Sequence, residues 1–153
     1  MRRRYQHEVL GYNFRMTDIQ AAIGLVQLAR LDDFNRRRIE NASYFMEGLS
    51  EVDSLVLPTV KPGCVHVFHQ FTLRVPKDRD GFQQRLASFG VGTGIYYPRP
   101  VHLQPSFRKF GYEGSFPVAE EACRQVISLP VHPLVSQEDR ERIVNAVRNA
   151  VGR

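Results

Sequence analysis

The chain has 153 residues, 42% hydrophobic and 24% charged, an ordinary balance for one globular domain. No apolar run is long enough to cross a bilayer, and the start "MRRRYQHEVLGYNF" is basic without an apolar signal core, which reads as cytoplasmic. The net charge of +5 suits an anionic small molecule rather than nucleic acid: Arg36, Arg37 and Arg38 lie between Asp32, Asp33 and Glu40 like a solvated helix face, and no helix-turn-helix or zinc-finger spacing occurs.

In chain order, "TDIQ" at 17–20 is a capping box, with Asp18 placed to suit the positive end of a helix dipole. Apolar residues at helical spacing then predict one long helix, or two nearly continuous ones, over 18–49, with Gly24 marking a close approach to another element. "LVLPTV" (55–60) and "HVFHQFTLRV" (66–75) read as strands, and "PKDRD" (76–80) as a turn. Residues 80–89 place Phe82, Leu86 and Phe89 on one helix face. "GVGTGIYYP" (90–98) ends in strand residues, and Pro98, Pro100 and Pro105 make the following stretch irregular. "SFPVAEEACRQVISLP" (115–130) holds a helix stopped by Pro130. "SQEDRERIVNAVRNAV" (136–151) is a last helix capped by Ser136, with Ile143, Val147 and Val151 inward. The expected fold is α+β: a small antiparallel or mixed sheet flanked by helices, with a long N-terminal helix.

The two cysteines, Cys64 and Cys123, read as reduced, buried thiols. His66 and His69 are three apart on a segment read as strand, which puts their rings on opposite faces and argues against a metal site. There is no Walker loop and no G-x-S-x-G, and "GVGTG" does not open a long helix. Two segments remain. In "IYYPRPVHLQP" (95–105), Tyr96, Tyr97, His102 and Gln104 sit on a proline-stiffened loop; they line a pocket, or they pack on a surface loop. In "GYNFRMT" (11–17), Thr17 already supplies the cap, which leaves Asn13 and Arg15 as donors for a phosphate, or as parts of a structural turn.

The segment "LGYNFRMTDIQAAIGLVQLARLDDFNRRR" closely resembles one shared by the DegT/StrS-type sugar aminotransferases, and "HQFTLRV", "GVGTGIYYPRPVHLQPSF" and "FPVAEEACRQVISLPVHPLVSQED" follow in the same order. These are fold type I enzymes that use pyridoxal 5'-phosphate to transfer an amino group, usually from glutamate, to a nucleotide-linked keto-sugar. The resemblance implies that Asn13 hydrogen-bonds the cofactor phosphate of a neighbouring subunit. It implies that Tyr96 and Tyr97 line the sugar-nucleotide site, with His102 and Arg15 as further substrate-side contacts. Relatives often have His where Tyr96 stands.

The only lysines are Lys61, Lys77 and Lys109, and none resembles the family's Schiff-base lysine, which lies upstream of "GYN". The resemblance therefore implies a single C-terminal domain over 1–153, with 1–50 as the interdomain helix and its lead-in and the N-terminal cofactor domain absent. It implies a homodimer, or association with a cofactor-domain chain, and no transamination by this chain alone. No metal, nucleic acid or membrane is expected. The alternative is a non-catalytic truncated paralogue, a dimerisation or interaction module with an exposed apolar helix face.

Overall fold

The computed structural model describes residues 11–12, 14–111 and 114–151, and the chain divides into two units between Asp32 and Asp33. In the first unit, helix α1 spans Asp18–Leu28 behind the capping box read from the sequence. The Gln20 amide donates to Thr17 Oγ1 at 3.3 Å, and the Thr17 amide donates to Gln20 Oε1 at 2.9 Å. Both bonds satisfy donors that a helix start otherwise leaves open. A turn at Ala29 and Arg30 closes α1, and α2 follows over Leu31–Gly48, so the stretch forms two helices rather than one. No residue of α1 is buried, and a Cβ added at Gly24 would meet nothing within 4 Å. The described residues thus supply no neighbour in close approach to Gly24.

The second unit holds the core. Strand β1 (Phe71–Arg74) pairs antiparallel with β2 (Val126–Leu129), Phe71 opposite Leu129 and Leu73 opposite Ile127. Phe71, Leu73 and Ile127 are fully buried. Thr72 and Ser128, also opposite, join their hydroxyls at 2.7 Å, which satisfies a buried serine inside the sheet. A two-stranded sheet is marginal by itself. This one is covered by α2, by α3 (Arg79–Ser88) and by α6 (Gln137–Val151), whose Phe45, Phe82, Leu86, Ile143 and Val147, with Leu49 just after α2, share one apolar cluster with it.

Helix ends are fixed by local bonds. Asp78 takes a left-handed backbone, with φ of 53°, accepts from the Gly81 amide at 3.1 Å and pairs with Arg85 at 3.0 Å. Arg85 and that amide hold the Asp78 carboxyl below the usual carboxylate range. A Cβ at Gly81 would collide with the same carboxylate, so the cap requires glycine there. Ser136 and Asp139 cap α6 reciprocally, each amide donating at 3.1 Å to the other's side chain. Arg148 reaches back to the Gly48 carbonyl, tying α6 to the end of α2.

The structure corrects several expectations. The strand expected at 55–60 shrinks to one bridge, Val56 to Arg74, because Pro58 has no N–H to continue a ladder. Only the second half of 66–75 is strand. Phe68 sits at φ 46° and turns the chain, while His66 accepts the Phe68 amide through Nδ1 at 2.8 Å, so the opposite-face argument for His66 and His69 does not apply. The strand expected at the end of 90–98 is a single bridge from Gly94 to Ser128. The helix read over 115–130 is instead α5 (Pro117–Gln125), running directly into β2. Cys64 is exposed, because it follows the Lys61–Gly63 turn, whereas Cys123 is half-buried. Among the described residues no helix is long and apolar enough to cross a membrane, and no three His, Cys, Asp or Glu side chains converge as a metal site would need.

Candidate functional site

The segment that follows Ile95 folds as its prolines dictate. The chain bends at Pro98 and Arg99, and Pro100, in extended conformation, leads into a 3₁₀ turn at Val101–Leu103. The Leu103 amide donates to the Pro100 carbonyl and the Gln104 amide to that of Val101, both at 3.0 Å. A one-turn helix, α4 (Pro105–Arg108), starts with proline at its first position, where a missing N–H costs nothing. This stiff stretch faces α5. Between them lies an open cleft of about 530 Å³, lined on one side by Tyr97, Arg99, Pro100, Val101, His102 and Phe107 and on the other by Phe116, Ala119 and Cys123.

The cleft has aromatic and aliphatic walls with a few polar groups, the pattern of a small-molecule site. Tyr97, Phe107 and Phe116 offer flat faces to a ring. Arg99 has no acidic partner among the described residues and is available to an anion. His102 is held: its Nε2 lies 3.2 Å from Glu120 Oε1, and its ring meets the Phe116 ring edge-on at 4.8 Å. The same Glu120 oxygen accepts the Phe116 amide at 2.9 Å, so one carboxylate fastens both sides of the cleft. That amide, and then His102, keeps the Glu120 carboxyl below its ordinary value.

Of the residues read from sequence, the structure brings Tyr97 and His102 together in this cleft. Tyr96 does not line it; its ring lies over Gly94, where a Cβ would meet the ring at 2.8 Å. Gln104 instead bonds the Arg99 carbonyl at 3.4 Å and steadies the loop. Arg15 is exposed in the first unit, and Asn13 lies outside the described residues, as does the basic start 1–10. Sequence reading missed Arg99, Phe107, Phe116, Ala119, Cys123 and Glu120. One signal was available: Ala119 and Cys123 are four apart on α5, the spacing that lays two side chains on one helix face. Lys61, Lys77 and Lys109 are all exposed, and none lines the cleft.

Comparison with known proteins adds to this geometry. Residues 1–148 match the sequence model of the DegT/DnrJ/EryC1/StrS aminotransferase family. The chain is 42% identical over 147 residues to the pleiotropic regulatory protein of Geobacillus stearothermophilus, covering 94% of this chain and 39% of that one. It is 41% identical over 145 residues to the dTDP-3-amino-3,6-dideoxy-alpha-D-galactopyranose transaminase of Aneurinibacillus thermoaerophilus, covering 95% and 39%. The crystal structure of S. venezuelae DesV in complex with ketimine intermediate superposes with a TM-score of 0.88 at 38% identity, covering all (100%) of this chain and 41% of DesV. The chain thus spans about two fifths of the length of these relatives.

Proposed function

Because the chain belongs to the DegT/DnrJ/EryC1/StrS aminotransferase family, we propose that it forms the substrate-side portion of an enzyme that transfers an amino group from an amino acid, most simply glutamate, to a nucleotide-linked keto-sugar. The observation that carries this reading is the cleft built on the "YPRPVH" segment. A nucleotide sugar carries a flat base, an anionic diphosphate and a ring of hydroxyls. Tyr97, Phe107 and Phe116 suit the rings, Arg99 the diphosphate and His102 a hydroxyl. In this reading 1–153 is one C-terminal domain, with 1–50 as interdomain helix and lead-in, and Tyr96 and Arg15 serve as outlying substrate contacts.

Pyridoxal phosphate, when bound, supplies an imine carbon for the amino group and an electron sink for the proton shift. The described residues alone do not fit that cofactor, since no lysine lines the cleft to hold it. In this reading the Schiff-base lysine is supplied from outside these 153 residues, by further chain or by another subunit. In this reading Asn13 would hold the cofactor phosphate, its side-chain amide donating to it across an interface. Asn13→Ala in a reconstituted enzyme is expected to weaken cofactor retention severalfold, read by cofactor absorbance after gel filtration; unchanged retention leaves 11–17 as a structural turn.

Helix α1 supports an assembly. Ile19, Ile23 and Val26, spaced four and three apart, are 59–75% exposed and form an apolar face of the kind that interfaces cover. This also suits the second reading, an interaction module without activity of its own. Incubating the chain with keto-sugar nucleotide, glutamate and pyridoxal phosphate is expected to yield no amino sugar by mass spectrometry. Amino-sugar formation would overturn the assignment of the lysine to another segment.

A further inference from the structure

We propose that Glu120 is the positioning residue of the cleft: its Oε1 accepts His102 Nε2–H and the Phe116 N–H together, which leaves His102 Nδ1 as the acceptor offered to a hydroxyl of a sugar-bearing ligand. The ligand class rests on the function proposed above, whereas the positioning role rests on geometry alone.

An ionised carboxylate only accepts hydrogen bonds, so the imidazole nitrogen facing it must carry the proton. The carboxyl of Glu120 is held in its ionised form by the Phe116 amide first, then by His102, with Arg124 adding a weaker pull. His102 therefore has Nε2–H toward Glu120, and Nδ1, when the ring is neutral, is a bare lone pair. Nδ1 makes no bond among the described residues, yet it is not one of the buried atoms left without a partner. It keeps some solvent exposure on a side chain that is 11% exposed and lines the cleft. The ring cannot turn freely, because Phe116 meets it edge-on and Phe116 is fastened to the same oxygen. A carboxylate behind a histidine fixes which nitrogen faces the ligand, the arrangement that orients metal-ligating and catalytic histidines elsewhere.

Three versions of the full chain test this: wild type, Glu120→Ala and Glu120→Gln. Glutamine keeps one acceptor oxygen where the structure uses one, so it is the conservative rescue. Nitrogen-resolved NMR of the His102 ring is expected to show a hydrogen-bonded Nε2–H, with a contact to the Phe116 ring, in wild type and Glu120→Gln. Glu120→Ala is expected to lose both while the fold, followed by amide spectra of β1 and β2, is kept. Titration with dTDP-glucose should then show affinity about tenfold weaker for Glu120→Ala than for the other two, the size of one lost hydrogen bond. Titration with dTDP, which lacks the hexose, should show no difference among the three. A His102 ring that keeps its Nε2–H signal and Phe116 contact in Glu120→Ala overturns the positioning role. An ordered His102 with no dTDP-glucose binding in wild type overturns the ligand class and the functional reading while leaving the positioning role standing. Equal losses for dTDP and dTDP-glucose would show that Glu120 serves the cleft wall and not the hydroxyl.

Discussion

Replacing Phe71 by Ala is expected to lower the unfolding free energy by about 3–5 kcal/mol, with a fall in Tm of roughly 10–20 °C for a domain of this size. Phe71 is fully buried, opposite Leu129 in the sheet. Its ring meets Phe45 of α2 edge-on at 5.4 Å and lies 6.1 Å from Phe68. Removing it opens a cavity where three segments meet, and among the described residues β1 has one full strand partner to hold it in place. Small domains are stable by only about 5–15 kcal/mol, so the variant stands near the edge of folding at body temperature. Val118→Ala is the control: Val118 is 83% exposed on α5, and its truncation should change stability by no more than about 0.5 kcal/mol. Urea unfolding of both variants decides the matter. A loss below about 1 kcal/mol for Phe71→Ala would mean that the sheet, and not the Phe45–Phe71 contact, organises the core.

The parts of the fold that were legible in the sequence are those fixed by near neighbours. The capping boxes at Thr17 and Ser136 join residues three apart, and the inward stripe of α6 repeats at helical spacing, with Ile143 and Val147 buried as read. Strand β2 was hidden because "VISL" follows α5 with no loop between them, and its apolar run continues a helical pattern without a break. What turns it into strand is β1, more than fifty residues earlier, with Thr72 reaching Ser128. The left-handed backbone at Phe68 and Asp78 was equally invisible, since neither is a glycine.

The site divides in the same way. Tyr97 and His102 stood out because prolines flank them. Glu120, eighteen positions from His102, reads in sequence as an ordinary acidic residue in the first turn of a helix, and only the packing of α5 against the 3₁₀ turn gives it two partners. Gly24 shows the converse: its position in α1 suggested a close neighbour that the described residues do not provide.

Filling the cleft tests its function most directly. Ala119→Trp is expected to weaken dTDP-glucose binding by about a hundredfold or more, equivalent to roughly 2.8 kcal/mol, while leaving the fold intact. Ala119 lies on the exposed face of α5, one turn from both Phe116 and Cys123, so an indole there projects from the helix without entering the buried core. The cleft measures about 530 Å³, within the range of drug-sized sites, so an indole built into its wall takes space and contact surface that a nucleotide sugar would use. Because the chain contains no tryptophan, the new indole also reports on itself: its emission shows whether it is desolvated within the cleft. Helix propensity favours the wild-type alanine, so a stability loss of up to about 0.7 kcal/mol is anticipated and does not bear on the test. The comparison with Glu120→Ala separates two ways of losing affinity. Tryptophan removes the space and should weaken dTDP and dTDP-glucose alike, whereas Glu120→Ala removes one oriented acceptor and should weaken only the sugar-bearing ligand. If the folded Ala119→Trp chain binds dTDP-glucose as tightly as wild type, the nucleotide sugar is held elsewhere, and the "YPRPVH" cleft is a gap between loop and helix rather than a substrate site.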